Sequence, residues 1–551
     1  EVDFKKGPYY AEVGDFSSAG SAELHLFDEL DAGVLKLGLG EDAFYRAVVA
    51  DSVKTENGAW LGAFEYQHYD GPWSRPEDGK KFNGLAKFTL GDETGGLRLN
   101  AMGYHAEWNS TDQIARRAVR QGLVGRLGNL NPDNGGDTER YSLQVEGWNR
   151  QGGAETRGHA YVSYYNFNLW SDFTYFLSDP VNGDQFRQFD ERVTVGGELV
   201  HERPGEWGGW SVDNAFGLQV RHDRISEVGL EQTRARRFVA PIRKDEVDET
   251  AVGLYVRNTT YWTDRLRSVF GLRGDAVFFD VDNEGFSENS GSENDQLLQP
   301  KLSVIYEVAD RTELYVSGGM GYHRNDGRGT TTVTDPGTGE SVRPVDPLVQ
   351  SVGGEVGLRS TLLPGLQSTL SLWYLELDSE LLFVGDAGTT EPSGKTERFG
   401  VEWANFYEAN DWLTFDLDLA WVDAKLSDEP SGADEIPGAI PLVLAAGASV
   451  DFENGLFGSL RLRHFDSYPL VEDDSVEAGS TSLVNLQVGY RWKKHDTSIH
   501  LDVLNLFDSE DNDIEYFYES RLAGEPAVGV EDVHFHPVEP RTLRVYLKKT
   551  F

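Results

Sequence analysis

The sequence predicts an all-β fold, a single transmembrane antiparallel β-barrel of about 22 strands. Three observations predict it. Apolar and polar residues alternate at period two through one segment after another. The connections between these segments alternate between short turns and longer polar loops. The strands so delimited come to an even number, as bacterial barrels require.

The alternation is plainest from residue 413. Leu413, Phe415, Leu417, Leu419 and Trp421 share one face, and Thr414, Asp416, Asp418 and Ala420 share the other. Successive strand residues point to opposite sides, so the first face is expected toward lipid and the second toward a lumen. Val484, Leu486, Val488, Tyr490 and Trp492 repeat the pattern, as do Leu543, Val545, Leu547 and Phe551. Aromatics near strand ends match a girdle at the lipid headgroups.

Short turns are expected at residues 55–58, 92–95, 152–155, 309–311, 364–366, 410–411, 453–455 and 493–496. Longer polar loops are expected at 109–138, 227–248, 325–347 and 508–540. Outer-membrane barrels carry short turns on the periplasmic rim and long loops on the outer rim, whereas soluble sandwiches keep no such alternation. The last upward strand is expected at 497–507 and the final one at 541–551. A barrel this wide cannot be filled by its own wall side chains.

Composition excludes several classes. Fifty basic against 92 acidic residues give a formal charge of −42, the wrong sign for a nucleic-acid binder. An aromatic content of 12% is too high for a disordered acidic chain. The absence of cysteine removes disulfides, zinc–thiolate sites and thiol nucleophiles. The longest apolar run, 442–450, falls short of the ~18 residues that a membrane-spanning helix needs. A negative mean hydropathy is no objection to a barrel, because only alternate residues face lipid. No signal peptide opens the sequence, so a mature or trimmed chain is expected.

No enzyme is expected. None of the His, Ser and Asp residues falls in Gly-x-Ser-x-Gly or His-Glu-x-x-His. Gly318, Gly319 and Gly321 lie inside a strand and read as room for a neighbouring backbone, not as a phosphate cradle. No cofactor is implied.

Two basic islands stand out among the acids. Arg116, Arg117, Arg120 and Arg126 follow Trp108, while Arg234, Arg236, Arg237, Arg243 and Lys244 precede Asp248. Both fall on the outer side by the alternation of turns and loops. Arginine forks capture carboxylates and phosphates, which points to an anionic small-molecule substrate or metal chelate. The plainer alternative is pairing with nearby acids, or a grip on lipopolysaccharide phosphates beside the outer-membrane lipid. His534 and His536, near Glu531 and Asp532, would point the same way on a strand and offer contact to a metal complex. Their plainer alternative is packing against the lumen wall. Asp508, Glu510, Asp511 and Asp513 lack the Gly and spaced Glu of an EF-hand and read as a solvated loop.

Three stretches resemble the TonB-dependent outer-membrane receptors, and together they extend the resemblance over the whole chain. Phe4-Lys5-Lys6-Gly7-Pro8-Tyr9-Tyr10-Ala11-Glu12-Val13-Gly14-Asp15-Phe16 looks like the end of that family's plug domain. Glu380-Leu381-Leu382-Phe383-Val384-Gly385-Asp386 with Arg398-Phe399-Gly400-Val401-Glu402 is similar to its middle-barrel signature. Asn505-Leu506-Phe507-Asp508, Pro540-Arg541 and Phe551 resemble its last hairpin and assembly signal, although Lys549 departs from the usual hydrophobic residue.

The resemblance implies a plug remnant at 1–29, a barrel at 30–551 and a place in the bacterial outer membrane. It implies active uptake of a scarce, bulky nutrient such as a ferric siderophore, cobalamin, haem or an oligosaccharide. TonB would pull on the plug, drawing on the inner-membrane proton gradient. Most of the plug and its TonB-contacting box are expected upstream of Glu1, which points to a truncated chain rather than a plug supplied by a separate polypeptide. The alternative function is a passive pore, or a structural barrel whose lumen a partner chain closes.

Overall fold

A computed structural model describes residues 2–384, 389–392 and 394–551. Twenty-two antiparallel strands close into one barrel. The first strand, Val34–Gly40, pairs with the last, Thr542–Thr550, from Val34 opposite Thr550 to Gly40 opposite Arg544. Beyond that seam Gly33 and Phe551 exchange backbone hydrogen bonds of 2.8 and 2.9 Å. No helix among the described residues is long and apolar enough to cross a membrane.

On one rim all connections are short, such as 56–57, 152–153, 208–209 and 361–365. The other rim carries 110–134, 172–185, 325–347, 427–441, 466–480 and 505–541. The expected loop at 227–248 is instead a β-ribbon. Strands Trp210–Arg234 and Arg237–Tyr261 have 25 residues each and join through Ala235 and Arg236. Both turn residues have positive φ, 50° and 60°, as a tight hairpin turn requires. A barrel strand needs only ~9–11 residues to span, so the ribbon projects beyond the bilayer. No face of it meets lipid there, and the charged residues scattered along it break the apolar alternation and make the segment read as a loop. The last upward strand also ends early, at Thr497–Leu504, because Asn505 and Asp508 take left-handed φ values of 47° and 58°.

The two faces separate as the alternation predicts. Asp416 lies opposite Gly447, which lies opposite Arg461, and the outer two pair at 2.9 Å across the glycine. A Cβ at Gly447 would stand 2.5 Å from the Asp416 carboxylate. The run 442–450 is thus apolar on its lipid face and small on its lumen face. Phe415 and Trp421 remain exposed on the outside.

Residues 2–24 lie inside the lumen as an antiparallel pair, Val2–Lys6 with Gly20–Leu24, joined by an irregular segment. The lumen wall beside it is cross-linked by ion pairs two residues apart on one strand. Arg273 donates to both carboxylate oxygens of Asp275 at 2.8 and 2.7 Å, and Arg221 to Asp223 at 2.6 and 2.9 Å. Residues i and i+2 share a face, so each pair is built into its strand.

Candidate functional site

The first part of the site is a seat on the lumen wall. Glycines carve it. A Cβ at Gly319 would collide with the Pro8 carbonyl, one at Gly271 would stand 2.8 Å from Ala11, and one at Gly353 would stand 2.8 Å from Pro8. At Gly321 it would meet Ser17 and Pro8 at 2.8 and 2.9 Å. The glycine-rich strand segment therefore does give room to a neighbouring backbone, and that backbone is the N-terminal segment. Polar groups then fasten it. Lys301 donates to the Pro8 carbonyl at 2.8 Å, Gln219 to the Glu12 carbonyl at 2.9 Å, and the Arg324 amide to Asp15 at 2.8 Å. Glu12 pairs with Lys5 and Arg257 at 3.0 and 3.2 Å. Ahead of the first barrel strand, Asp28 pairs with Lys87 and Arg98 at 2.8 and 2.9 Å.

The second part is a cap over an arc of the outer rim. Strands Asn512–Ser520 and Val530–Pro537 form a hairpin, extended to three strands by Ile114–Ala115. The short helix Arg116–Arg120 follows. Ala115, Ala118, Tyr175 and Leu522 make one apolar cluster, and Leu470, Ala478 and Val533 make another. Four outer loops are thereby tied together.

This cap absorbs many of the residues singled out as substrate contacts. Arg117 lies inside it, bonded to Glu525, to the Ser520 carbonyl and to Asp532. His534 is 0% exposed and stacked on Tyr518 at 3.8 Å, with Ser520 Oγ 2.7 Å from Nε2. Burial, aided by Arg117, pushes its pKa down to about 3. Both side chains are buried within the cap in this conformation. A polar side chain there is stable because the cap itself supplies its partners. His536 is also engaged: Nδ1 lies 3.0 Å from Asp513, Nε2 lies 3.2 Å from Thr111, and Trp73 packs on the ring. His534 and His536 do not converge on a shared site.

Arg116 pairs with Glu515 at 2.9 Å. Arg236 donates to the carbonyls of Asp133 and Asn134 at 2.7 and 2.8 Å and lies over Trp170, binding the ribbon to the cap. Arg243 and Lys244 are likewise paired with acids. Arg120, Arg234 and Arg237 stay exposed, and Arg234 reaches Asn182 at 3.3 Å. The cap also holds carboxyls whose protons burial retains. Asp172 is pushed up to about 7 by burial, as is Glu77, and Asp112 is raised by the same cause.

Sequence reasoning missed the Arg-x-Asp lock on the lumen wall, although its signal was present. Arg221/Asp223, Arg243/Asp245 and Arg273/Asp275 repeat one spacing in neighbouring strands. It also missed His68, Asp70 and Asp78, whose ligand atoms lie within 4.8 Å of one another at the outer rim. Lys80 occupies that group, 3.1 Å from Asp78.

A sequence profile described as TonB dependent receptor-like, beta-barrel matches residues 53–506, most of the chain. The chain belongs to the TonB-dependent receptor family. Solved structures agree on the fold of this receptor. The ferric yersiniabactin uptake receptor FyuA from Yersinia pestis aligns with a TM-score of 0.79 at 15% identity, over 100% of this chain and 85% of that one. The ferric-catecholate import receptor Fiu from E. coli K12 aligns at 0.78 and 14% identity, over 99% and 85%. The copper transporter OprC aligns at 0.75 and 17% identity, over 100% and 85%. The barrel and the family imply an outer-membrane protein, and the family is one of transport receptors rather than enzymes.

The motifs that carried the resemblance have structural roles. Asn505 accepts from the Ser509 amide and donates to the Glu539 carbonyl, while Asp508 accepts from the Arg541 amide. They clasp the two ends of the last outer hairpin. Glu380 pairs with Arg398, and Gly385 and Asp386 lie outside the described residues.

Proposed function

We propose that this receptor imports a bulky, scarce metal chelate of the ferric siderophore type across the outer membrane, with TonB supplying the work through a plug. The glycine-lined seat carries this reading. A wide barrel that reserves part of its wall for an internal segment is built around a plug, not as an open pore. In this reading residues 1–29 are the last part of the plug domain and 30–551 are the barrel. Phe4, Leu24 and Phe27 are 72%, 75% and 65% exposed, an apolar face suited to cover by the rest of a plug. FyuA and Fiu handle ferric chelates and OprC handles copper, which supports a chelated or free metal as cargo. The exposed Arg120, Arg234 and Arg237 favour an anionic chelate.

The test is uptake of radio-iron-loaded siderophores by cells lacking this receptor, with and without its gene restored. Receptor-dependent uptake that stops when TonB is deleted is expected. Uptake that survives TonB deletion would support the passive pore, and no receptor-dependent uptake of any chelate would overturn the substrate class.

A further inference from the structure

The lipid-facing wall carries a cleft near the short-turn rim, mostly apolar but holding a few polar side chains. Gly205, Trp207, Val212, Asn214, Trp262 and Ser268 help to line it, and its volume is about 630 Å³. The face is fixed by strand register. Along the same strands Phe216, Leu218, Leu254 and Phe270 stand at even positions and are exposed to the outside. Asn214, Asn258, Thr260 and Ser268 stand at even positions too, and Asn214 lies directly opposite Asn258. These polar groups therefore face lipid, not the lumen.

Their hydrogen bonds run in one direction and stop short. Thr260 Oγ1 donates to Asn258 Oδ1 at 2.7 Å, and Asn258 Nδ2 donates to Asn214 Oδ1 at 2.8 Å. Asn214 Nδ2, beside Gly205, is left with no acceptor among the described residues. Arg203 stands opposite Asn214 on the next strand. It is exposed and has no ion pair among the described residues. Trp210 packs edge-on against Trp262 at 4.8 Å and lies 6.5 Å from Trp207, forming an aromatic wall at the cleft.

Depth says what meets these donors. Asn214 is four residues above the start of its strand, which for a tilted strand is about 10 Å from the turn. Short turns mark the periplasmic rim. Tryptophans mark the headgroup level, and above them Phe216 and Phe270 begin the apolar wall. Within a bilayer an unspent amide donor and an unpaired guanidinium are costly unless an acceptor covers them. The anionic acceptor at that depth is the phosphate of a phospholipid, and arginine binds phosphate through a fork of hydrogen bonds.

We propose that this cleft binds one phospholipid of the periplasmic leaflet, gripped at its phosphate by Arg203 and Asn214. The tryptophans flank the headgroup, and an acyl chain follows Phe216 and Phe270. The proposal rests on the membrane orientation alone. It is tested without any uptake assay, so its failure leaves the transport reading standing.

The experiment is native mass spectrometry of the delipidated receptor in detergent, titrated with palmitoyl-oleoyl phosphatidylethanolamine or with the matching diacylglycerol. The wild type is expected to retain one phospholipid and no diacylglycerol. Arg203→Gln combined with Asn214→Leu is expected to weaken retention at least tenfold. Gly205→Phe fills the cleft beside Asn214 while leaving the Arg203 and Asn214 side chains in the protein, and is expected to do the same. Its φ is not left-handed, and a Cβ there makes only ordinary contacts, 3.4 Å at the nearest. Each variant is first confirmed as folded by heat-modifiable gel mobility. Equal phospholipid retention in the wild type and Gly205→Phe, or equal retention of diacylglycerol by the wild type, would overturn the site and leave only a generic interfacial band.

Discussion

The hydroxyls of Ser18 and Ser351 lie 2.6 Å apart, both buried, one on the lumenal segment and one on the barrel wall. They are separated by 333 positions in sequence. With Lys301 on Pro8 and Gln219 on Glu12, they make this segment part of the wall. Whatever moves during transport is therefore expected to lie upstream of the seat. Ser18→Cys with Ser351→Cys should form a disulfide, since the side-chain atoms already meet. Chelate uptake should persist in the oxidised form at near the reduced rate. Loss of uptake on oxidation, restored by reductant, would show that the seat must open.

The barrel was legible because its physics is local and repetitive. Leu413 to Trp421 alternate since one face meets lipid and the other meets water. The ribbon at Arg234 and Arg237 was not legible, because beyond the bilayer neither face meets lipid and charged residues break the period. The site was legible in residue type but not in role. Arg117 and His534 read as open ligands, yet three-dimensional pairing with Glu525 and Ser520 buries them. The Arg117–Glu525 pair joins loops about 400 positions apart, which spacing along the chain does not reveal. Gly319 and Gly321 announced a close backbone approach, but only the fold shows that Pro8 makes it.

The two faces of strand Leu413–Leu426 should respond differently to one new charge. Leu417→Arg places a guanidinium against lipid, at a cost of ~2–4 kcal/mol near mid-membrane. Asp416→Arg places it in the lumen and loses one ion pair with Arg461, a partly exposed contact worth about 1 kcal/mol or less. The folded fraction on a heat-modifiable gel should fall sharply for Leu417→Arg and little for Asp416→Arg. Equal falls would mean that the register is wrong.

The arginines of the outer rim divide into two groups with different expected phenotypes. Arg117 is one-tenth exposed and pairs with Glu525 and Asp532. Arg117→Ala leaves the partly buried Glu525 and Asp532 without their shared partner and should loosen the cap. Hydrogen exchange should then rise across 110–120 and 520–532. Gln at Arg120, Arg234 and Arg237 should leave exchange unchanged and weaken the apparent affinity for an anionic chelate, more so at low salt. Unchanged affinity in that triple variant, at normal surface expression, would assign these side chains to lipopolysaccharide or to solvent.

The cap should also answer to pH, with two opposing slopes. Burial holds Asp172 protonated up to about 7, against an ordinary value of 3.8. Between those values the ordered cap binds a proton that the disordered cap has released. This contribution to order is present at low pH and lost as pH rises through about 7. Glu77, also at about 7, and the raised Asp112 act in the same direction. His534 has the opposite sign: its ordinary value of 6.5 is depressed to about 3, so its contribution is present above 6.5 and lost as pH falls. Three carboxyls outweigh one imidazole, so amide protection across 110–134 should decline from pH 4 to pH 7, after correction for intrinsic exchange rates. Asp172→Asn keeps a neutral side chain at every pH and should flatten that decline. His534→Phe removes the opposing slope and should steepen it. A wild-type cap equally protected across the range, or an Asp172→Asn slope identical to the wild type, would show that these buried groups do not govern the order of the cap.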